Sequence, residues 1–424
     1  MKVLHVLNGV SGGAAHSVAE LVTGMEQLGV ESYAICHEPR GVAGEERSAV
    51  ERAFGDRIEY RDLYRWNRRI RSRRAARPLM AIHQCARTGA GWSSSRAVAR
   101  RARAVGAEVI HTNTFTTPDG AIAAGVLGLP HVWHVRELVG PDQPFRFYGG
   151  RSGFEQIAGG SEFVVNSPAT SSHFAALVPG ASTHLVPNGL DLGPLLEVGR
   201  SRPRADDGGR PVVVGMVANL TSTLKRHALF IEAAAICRDL PHVTFRLYGA
   251  DPAQVGGTSR AVRYAQQIHR QVEEAGLADR FTFAGYCDDP VRLMGDLDVL
   301  VMPNESESFG RVVVEAMAAG ACAVAADSSA LRFVLDEGRA GVLVPPRDAR
   351  SMGVAIADLV CDSERRRQLA DAGTRRAVEA FSIERSAAEV VEIYRAAVAA
   401  AHPTRSQWSA WSHTIPLRAA GIGR

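Results

Sequence analysis

Between Asp298 and Ala326 the chain reads strand, turn, helix, strand, with almost no residues to spare. The run Asp298-Val-Leu-Val-Met302 has the length and β-branched content of a buried strand. Pro303 to Gly310 is a turn segment rich in Ser, Glu and Gly, and an apolar helix follows that Gly320 can end as its C′ residue. Ala321 to Ala326 is a second strand. Strands joined through a single crossover helix run parallel, so this stretch commits its domain to an α/β fold with a parallel sheet. Such sheets bind ligands beyond the carboxyl ends of their strands, which is where the turn segment lies.

Glu307 stands in that turn, and Glu315 stands eight positions on, inside the helix. The backbone N–H groups around Phe309 to Val313 are the unpaired donors of a helix start, suited to an anion. Two carboxylates able to accept from hydroxyls, flanking donors able to hold a phosphate, point to a sugar nucleotide. A plainer reading stands beside this one on spacing alone. In it Glu315 is an ordinary helix glutamate and Glu307 a solvated loop residue.

The same alternation runs through the chain, whose 424 residues exceed one ordinary core and predict two domains. Val3–Asn8 is a strand, Gly9–Gly13 a glycine turn, His16–Leu28 a helix with Val18, Leu21, Val22, Met25 and Leu28 on one face, and Ser32–Cys36 a second strand. The turn lacks the Gly-x-Gly-x-x-Gly pattern, and the nearest acidic residue is Glu38, so no dinucleotide site is expected. Gly12 and Gly13 instead let a substrate approach the backbone. Strands at Glu108–Asn113, His131–Glu137, Phe163–Ser167 and His184–Gly189, with a helix at Ala121–Leu127, extend this domain. The glycine-, proline- and charge-rich segment 198–210 reads as a linker. A fresh alternation starts at Pro211–Val217, with a loop Ala218–Leu224, a helix opened by Lys225 or Arg226, and strands at Phe245–Gly249 and Phe281–Gly285. Asp348 is an N-cap for Ala349–Val360, and Ile383–Ala400 is a long terminal helix. The expected division is 1–197, linker 198–210, 211–382, the helix 383–400 and a tail 401–424 carrying Trp408 and Trp411.

Six scattered cysteines without a Cys-x-x-Cys pair argue against a disulfide or zinc framework and fit a reducing cytoplasm. Met1-Lys2 leads straight into a strand, so no signal peptide is expected, and no run approaches the ~20 apolar residues of a membrane span. Of 49 basic residues only Lys2 and Lys225 are lysine, the bias of a GC-rich bacterial genome, and Lys225 stands out against it. The arginines from Arg61 to Arg103, interleaved with Tyr64, Trp66 and Ile70, form a stripe able to meet anionic lipid or an anionic acceptor. A solvated helical face is the other reading.

Together these segments resemble the retaining, nucleotide-sugar-dependent glycosyltransferases of family 4, which have the GT-B fold. Glu307-Ser-Phe-Gly-Arg-Val-Val-Val-Glu315 looks like the family's Glu-x7-Glu motif. In family order come Gly12-Gly13, His111-Thr-Asn113, Pro130 to Glu137, Asn166-Ser167, Pro187-Asn-Gly-Leu-Asp191, Lys225, the Gly285 loop and Asp298 to Pro303. The resemblance implies two Rossmann-like domains facing a central cleft, acceptor on the first and donor on the second. Glu307 would bind the transferred sugar's hydroxyls beside the Phe309 and Gly310 amides. The Val312 and Val313 amides would face the pyrophosphate, and Glu315 would accept from the ribose hydroxyls. Lys225 would be the cation on the diphosphate, His134 would lie near the sugar's hydroxymethyl group, and Gly12 and Gly13 would border the diphosphate. The terminal helix would cross back to the first domain.

Two positions depart from the family. Asn219 stands where an arginine often supports the lysine, with Arg226 as the substitute cation, and Ser328-Ser329-Ala-Leu-Arg332 replaces Gly-Gly-x-x-Glu. The implied reaction is transfer from a nucleoside-diphosphate sugar to the hydroxyl of a sugar, lipid-linked or natural-product acceptor. It implies no cofactor, no metal and no nucleic acid, in the cytoplasm or at the inner face of the membrane. A sugar-nucleotide epimerase or hydrolase, and a non-catalytic basic binding protein, are the competing readings.

Overall fold

The first strand of the chain, Lys2–Leu7, is buried from its second residue to its last, as a strand covered on both faces must be. A computed structural model describes residues 1–400 except 11, 38–47, 65–92, 139–153, 156, 202–208, 222 and 288. Most of the arginine stripe, most of the expected linker, and the tail with Trp408 and Trp411 lie outside the described residues.

Two units divide the chain, Met1–Gly189 with Ile383–Arg424, and Leu190–Ser382. The first holds strands β1 (Lys2–Leu7), β2 (Glu31–His37), β3 (Ile58–Arg61), β4 (Val109–Asn113), β5 (His131–Val135), β6 (Ser161–Val165) and β7 (Thr183–Leu185). They form one sheet in the order β3-β2-β1-β4-β5-β6-β7. The second holds β8 (Val212–Val217), β9 (Val243–Tyr248), β10 (Phe281–Gly285), β11 (Val299–Met302), β12 (Cys322–Ala326) and β13 (Val342–Val344), in the order β10-β9-β8-β11-β12-β13. Every pairing is parallel. Each sheet therefore winds outward from its first strand, returns, and winds the other way. The resulting switch points lie between β1 and β4 and between β8 and β11, where loops leave the sheet edge in opposite directions and open a crevice.

The change of unit falls at Gly189–Leu190, not at 197. The reason is apolar spacing: Leu190, Leu192 and Leu195 enter the second unit's core, and the helix Gly193–Ser201 runs into the segment expected to be a linker. Its Gly199 packs so tightly that an added Cβ would sit 2.9 Å from the Ala319 carbonyl. The helix Ile383–Ala400 joins the first unit, packing Ile383, Ala387, Val390, Val391 and Tyr394 with Val18, Leu21, Val22 and Met25 of the helix Gly13–Glu26. Leu28, expected on that apolar face, is exposed, because the helix ends at Glu26.

The elements that escaped the sequence reading include Ser259–Glu274, Ser363–Phe381 and β13 in the second unit, and β3 with two helices in the first whose caps are written in the sequence. Ser48 and Glu51 make a reciprocal capping box on Ala49–Phe54, and Ser167 caps Pro168–Leu177 with proline at the first helical position. β3 then follows the first of these helices.

Asp298 is the polar pin of the second sheet. Only 3% exposed, it accepts from both Arg210 Nη atoms (2.7 and 2.8 Å) and from the Val213 N–H (2.9 Å), tying β8 to the start of β11. Asp298→Ala strips three donors of their acceptor and is expected to cost about 3 kcal/mol. A urea melt of the variant against wild type checks this, and an unchanged midpoint contradicts it.

Candidate functional site

The switch between β8 and β11 sends two loops out of one sheet edge, and they bring Lys225 to Glu307. Lys225 ends the 3₁₀ turn Thr223–Lys225, and its Nζ lies 3.4 Å from Glu307 Oε2. Asn304 Nδ2 donates to the same oxygen at 3.0 Å. Glu307 Oε1 has no partner among the described residues, so the carboxylate is held by one oxygen and offers the other. With 17% of its side chain exposed, Glu307 is not a solvated loop residue.

The turn is fixed from below. Phe309 is buried and meets Phe381 edge-on at 5.5 Å. Gly310 caps the helix Arg311–Ala318 at φ 97°, ψ 46°, and a Cβ there would lie 2.7 Å from Leu331 Cδ2. Backbone angle and space both require glycine. The Val313 N–H is already donated to the Gly310 carbonyl at 2.9 Å. Of the two amides named from the sequence, the one left for an anion among the described residues is Val312. Glu315, on the buried face of this helix and 6% exposed, accepts from Arg311 Nε at 2.7 Å. The helix then ends as a Schellman motif, Ala321 N–H to the Ala316 carbonyl (2.9 Å) and Gly320 N–H to the Met317 carbonyl (3.1 Å), with Gly320 at φ 73°.

Arg226, the substitute cation, faces a carboxylate. Its Nη2 and Nε lie 2.5 and 3.1 Å from the two oxygens of Glu305, which also accepts from Arg347 Nε at 2.9 Å. These bonds, Arg226's first, hold the Glu305 carboxyl down to about 2, against burial that pushes it up. Asn219 spends its Oδ1 on the Ala250 N–H (2.7 Å), closing the turns after β8 and β9. Ser328 caps the helix Ser329–Val334, and Arg332 pairs with Asp327 and Glu337 at the surface.

In the first unit, Gly12 stands at φ 88° as the cap of Gly13–Glu26, and its carbonyl accepts from Ala15 and His16. Nothing lies within 4 Å of an added Cβ at Gly12 or Gly13, so conformation rather than crowding selects glycine at Gly12. Asn8 Nδ2 reaches Thr116 Oγ1 at 3.0 Å, linking the loops after β1 and β4 at the switch. His134, on β5, is 2% exposed. Its ring stacks on His111 at 5.4 Å, and His111 lies 5.0 Å from His5. Burial drives all three imidazoles well below their ordinary pKa, His5 to about 3, with Arg136 adding to the effect on His134.

Arg136 was given no role by sequence reasoning, yet it is the hub of this end of the sheet. Its guanidinium donates to Asn113 Oδ1 (2.8 Å), to Asn188 Oδ1 and to His134 Nδ1 (3.3 Å). The signal was present, since three of the segments quoted for the resemblance contain Asn113, Arg136 and Asn188. Beside it, burial pushes the Glu137 carboxyl up to about 7. Of the arginine stripe, Arg96, Arg100 and Arg103 lie on the exposed face of the helix 93–105, whose Val98, Ala99 and Ala102 point inward.

Among the described residues no group of three or more His, Cys, Asp or Glu could hold a metal ion, and no helix is long and apolar enough to cross a membrane. The family description "Glycosyltransferase Family 4" matches residues 11–193, and "Glycosyl transferases group 1" matches residues 200–376. D-inositol 3-phosphate glycosyltransferase of Paenarthrobacter aurescens is 30% identical over 57% of this chain and 59% of its own. 2-Deoxystreptamine N-acetyl-D-glucosaminyltransferase of Streptomyces fradiae is 29% identical over 49% of each. The chain thus spans about half the length of the curated relatives it matches. Among solved structures, Anabaena HepE in complex with UDP superposes with a TM-score of 0.70 at 20% identity, over 93% of this chain and 100% of that one. Sucrose-phosphate synthase from Thermosynechococcus elongatus gives 0.69 at 21% identity, over 94% and 100%. Two doubly wound parallel sheets, the GT-B neighbours and two adjoining family matches agree, and the chain belongs to glycosyltransferase family 4.

Proposed function

We propose that the protein transfers a sugar from a nucleoside-diphosphate sugar to an acceptor hydroxyl, with retention at the anomeric carbon. The observation that carries this reading is the Lys225–Glu307 pair at the β8/β11 switch. As the anomeric C–O bond to phosphate breaks, negative charge grows on the diphosphate. Lys225 and the donors of the helix start, Val312 foremost, meet that charge without a divalent ion, each contributing on the order of a few kcal/mol. The acceptor oxygen bonds to the anomeric carbon from the same face, and its proton passes to the departing phosphate oxygen. Nucleoside diphosphate and glycoside are the products. Glu307 accepts from hydroxyls of the transferred sugar, Glu315 from those of the ribose, and His134 donates to a substrate hydroxyl.

The relatives named for D-inositol 3-phosphate and 2-deoxystreptamine are named for cyclitols. A hydroxyl-rich ring, free or within a natural product, is accordingly the acceptor class we favour. Peripheral contact with anionic lipid through the arginine stripe belongs to the same proposal. The five described cysteines are all free thiols, which supports a cytoplasmic site of action.

A thermal-shift screen of UDP-, GDP-, ADP- and TDP-sugars tests the donor. A ligand at a hundred times its Kd stabilises by about 2.7 kcal/mol, and one nucleotide series should raise the melting point. Glu315→Ala should weaken that nucleotide about tenfold and leave saturated turnover within a factor of about three, the pattern of a ground-state contact. No shift from any sugar nucleotide would sink the proposal. Release of free or isomerised sugar without an acceptor would transfer it to the epimerase or hydrolase reading.

A further inference from the structure

We infer that Arg136 is a positioning residue that fixes His134 as a neutral imidazole carrying its proton on Nε2. The inference rests on the proposed function only in taking that Nε2–H as the donor to substrate.

The geometry is a matter of which atoms can accept. A guanidinium has five N–H donors and no acceptor, so the Arg136 Nη2 contact with His134 Nδ1 (3.3 Å) requires Nδ1 to be the unprotonated nitrogen. The proton of the neutral ring is then on Nε2. That nitrogen is buried and has no hydrogen-bond partner among the described residues. A buried, unmet donor is costly in an empty site and is relieved by an oxygen arriving from a ligand. Position agrees with this. His134 is the penultimate residue of β5, at the carboxyl edge of the sheet, and its register partner is Asn113, the last residue of β4.

Arg136 is itself held from two sides. Asn113 on β4 takes Nε, and Asn188, beyond β7, takes Nη1. Only a planar fork reaches both and still presents Nη2 to the ring. The other titratable groups facing His134 are His111, stacked on it, then His5 and Tyr394, which contact His111, and the adjoining Glu137. None of the stacked rings competes for Nδ1, since His111 uses its own Nδ1 on the Tyr394 hydroxyl.

The test is ¹⁵N NMR of the full chain with labelled histidine, paired with kinetics. In wild type, His134 should show an unprotonated Nδ1 and a protonated Nε2 without titrating between pH 8 and 5. Arg136→Met should mix its tautomers while burial still keeps the ring neutral, and kcat should fall about tenfold with the donor KM little changed. Should Arg136→Met fail to fold, Arg136→Lys carries the same test, because an ammonium donates from a single point and cannot hold Asn113, Asn188 and Nδ1 together. Wild-type nitrogen signals in either folded variant overturn the inference. His134→Ala separates the two claims: wild-type turnover there removes His134 from the reaction, while the nitrogen signals still report whether Arg136 sets its tautomer.

Discussion

Glu307→Gln should lower kcat by about a hundredfold, close to 3 kcal/mol of barrier, while the melting point moves little. The argument turns on the carboxylate's two oxygens. Oε2 receives Lys225 and Asn304, and Oε1 is left to accept from a ligand hydroxyl. In the amide, the oxygen must take the Oε2 place, because two donors already point there. The NH₂ group then occupies the Oε1 place and presents protons where a hydroxyl needs an acceptor. Lys225 also loses the charge facing it, so its ammonium is no longer held in line. Size and shape are unchanged, which is why stability should be spared. Steady-state kinetics with the nucleotide sugar found by the thermal screen checks this, and wild-type turnover in Glu307→Gln would remove Glu307 from the site.

Acid should unfold the first unit before the second. His5, His111, His131 and His134 are all buried in it, and all are pushed far below 6.5 by burial. A depressed histidine contributes stability that is complete above the unfolded pKa and is lost as pH falls through the folded one. Below about pH 6 the unfolded chain therefore takes up four protons that the folded one refuses. Two carboxyls oppose this. Asp119 is raised to about 6 and Glu137 to about 7, so between pH 6 and roughly 4.5 they are protonated in the fold and ionised when unfolded. The net difference is two protons, or about 2.7 kcal/mol per pH unit, and it steepens below 4.5 as the unfolded carboxyls protonate too. Against a typical stability of about 5–15 kcal/mol, the unit should fail between pH 5 and 4. Among the described residues of the second unit one histidine is depressed, His227, to about 4, and its lowered carboxyls, Glu305 foremost at about 2, add proton uptake only below about pH 4.5. Trp133 is buried in the first unit and the sequence has no tryptophan in Leu190–Ser382, so emission carries no signal from the second unit. Emission should change in that window while part of the far-ultraviolet circular dichroism survives. Flat emission down to pH 4, or simultaneous loss of both signals, would contradict the account.

Local grammar was legible in the sequence. The strand–turn–helix–strand unit around Glu307, the end of its helix at Gly320, the cap at Asp348 and the helix Ile383–Ala400 all follow from periodicity and capping residues. Pairing across the fold was not legible. Lys225 and Arg226 are adjacent, and Glu305 and Glu307 are two apart, yet Lys225 takes Glu307 and Arg226 takes Glu305. That choice is made by the left-handed backbone of Arg226 (φ 61°), which no propensity announces. The histidine stack is likewise a product of register, since His5 lies opposite His111 only once β1 and β4 are aligned. The unit boundary was missed for a simpler reason. Leu190, Leu192 and Leu195 carried the apolar spacing, but the charge and glycine content just beyond drew the boundary toward it.

The helix Ile383–Ala400 completes a core that the chain began with its first residues. On the ribosome this makes the order of synthesis a constraint. Val18, Leu21, Val22 and Met25 emerge early, but the residues that cover them emerge only after all of Leu190–Ser382 has been made. At 5–20 residues per second the interval is roughly 10–40 s. Throughout it the nascent amino-terminal unit exposes an uncovered apolar face, open to chaperones and to neighbouring chains, while the unit made second can finish folding first.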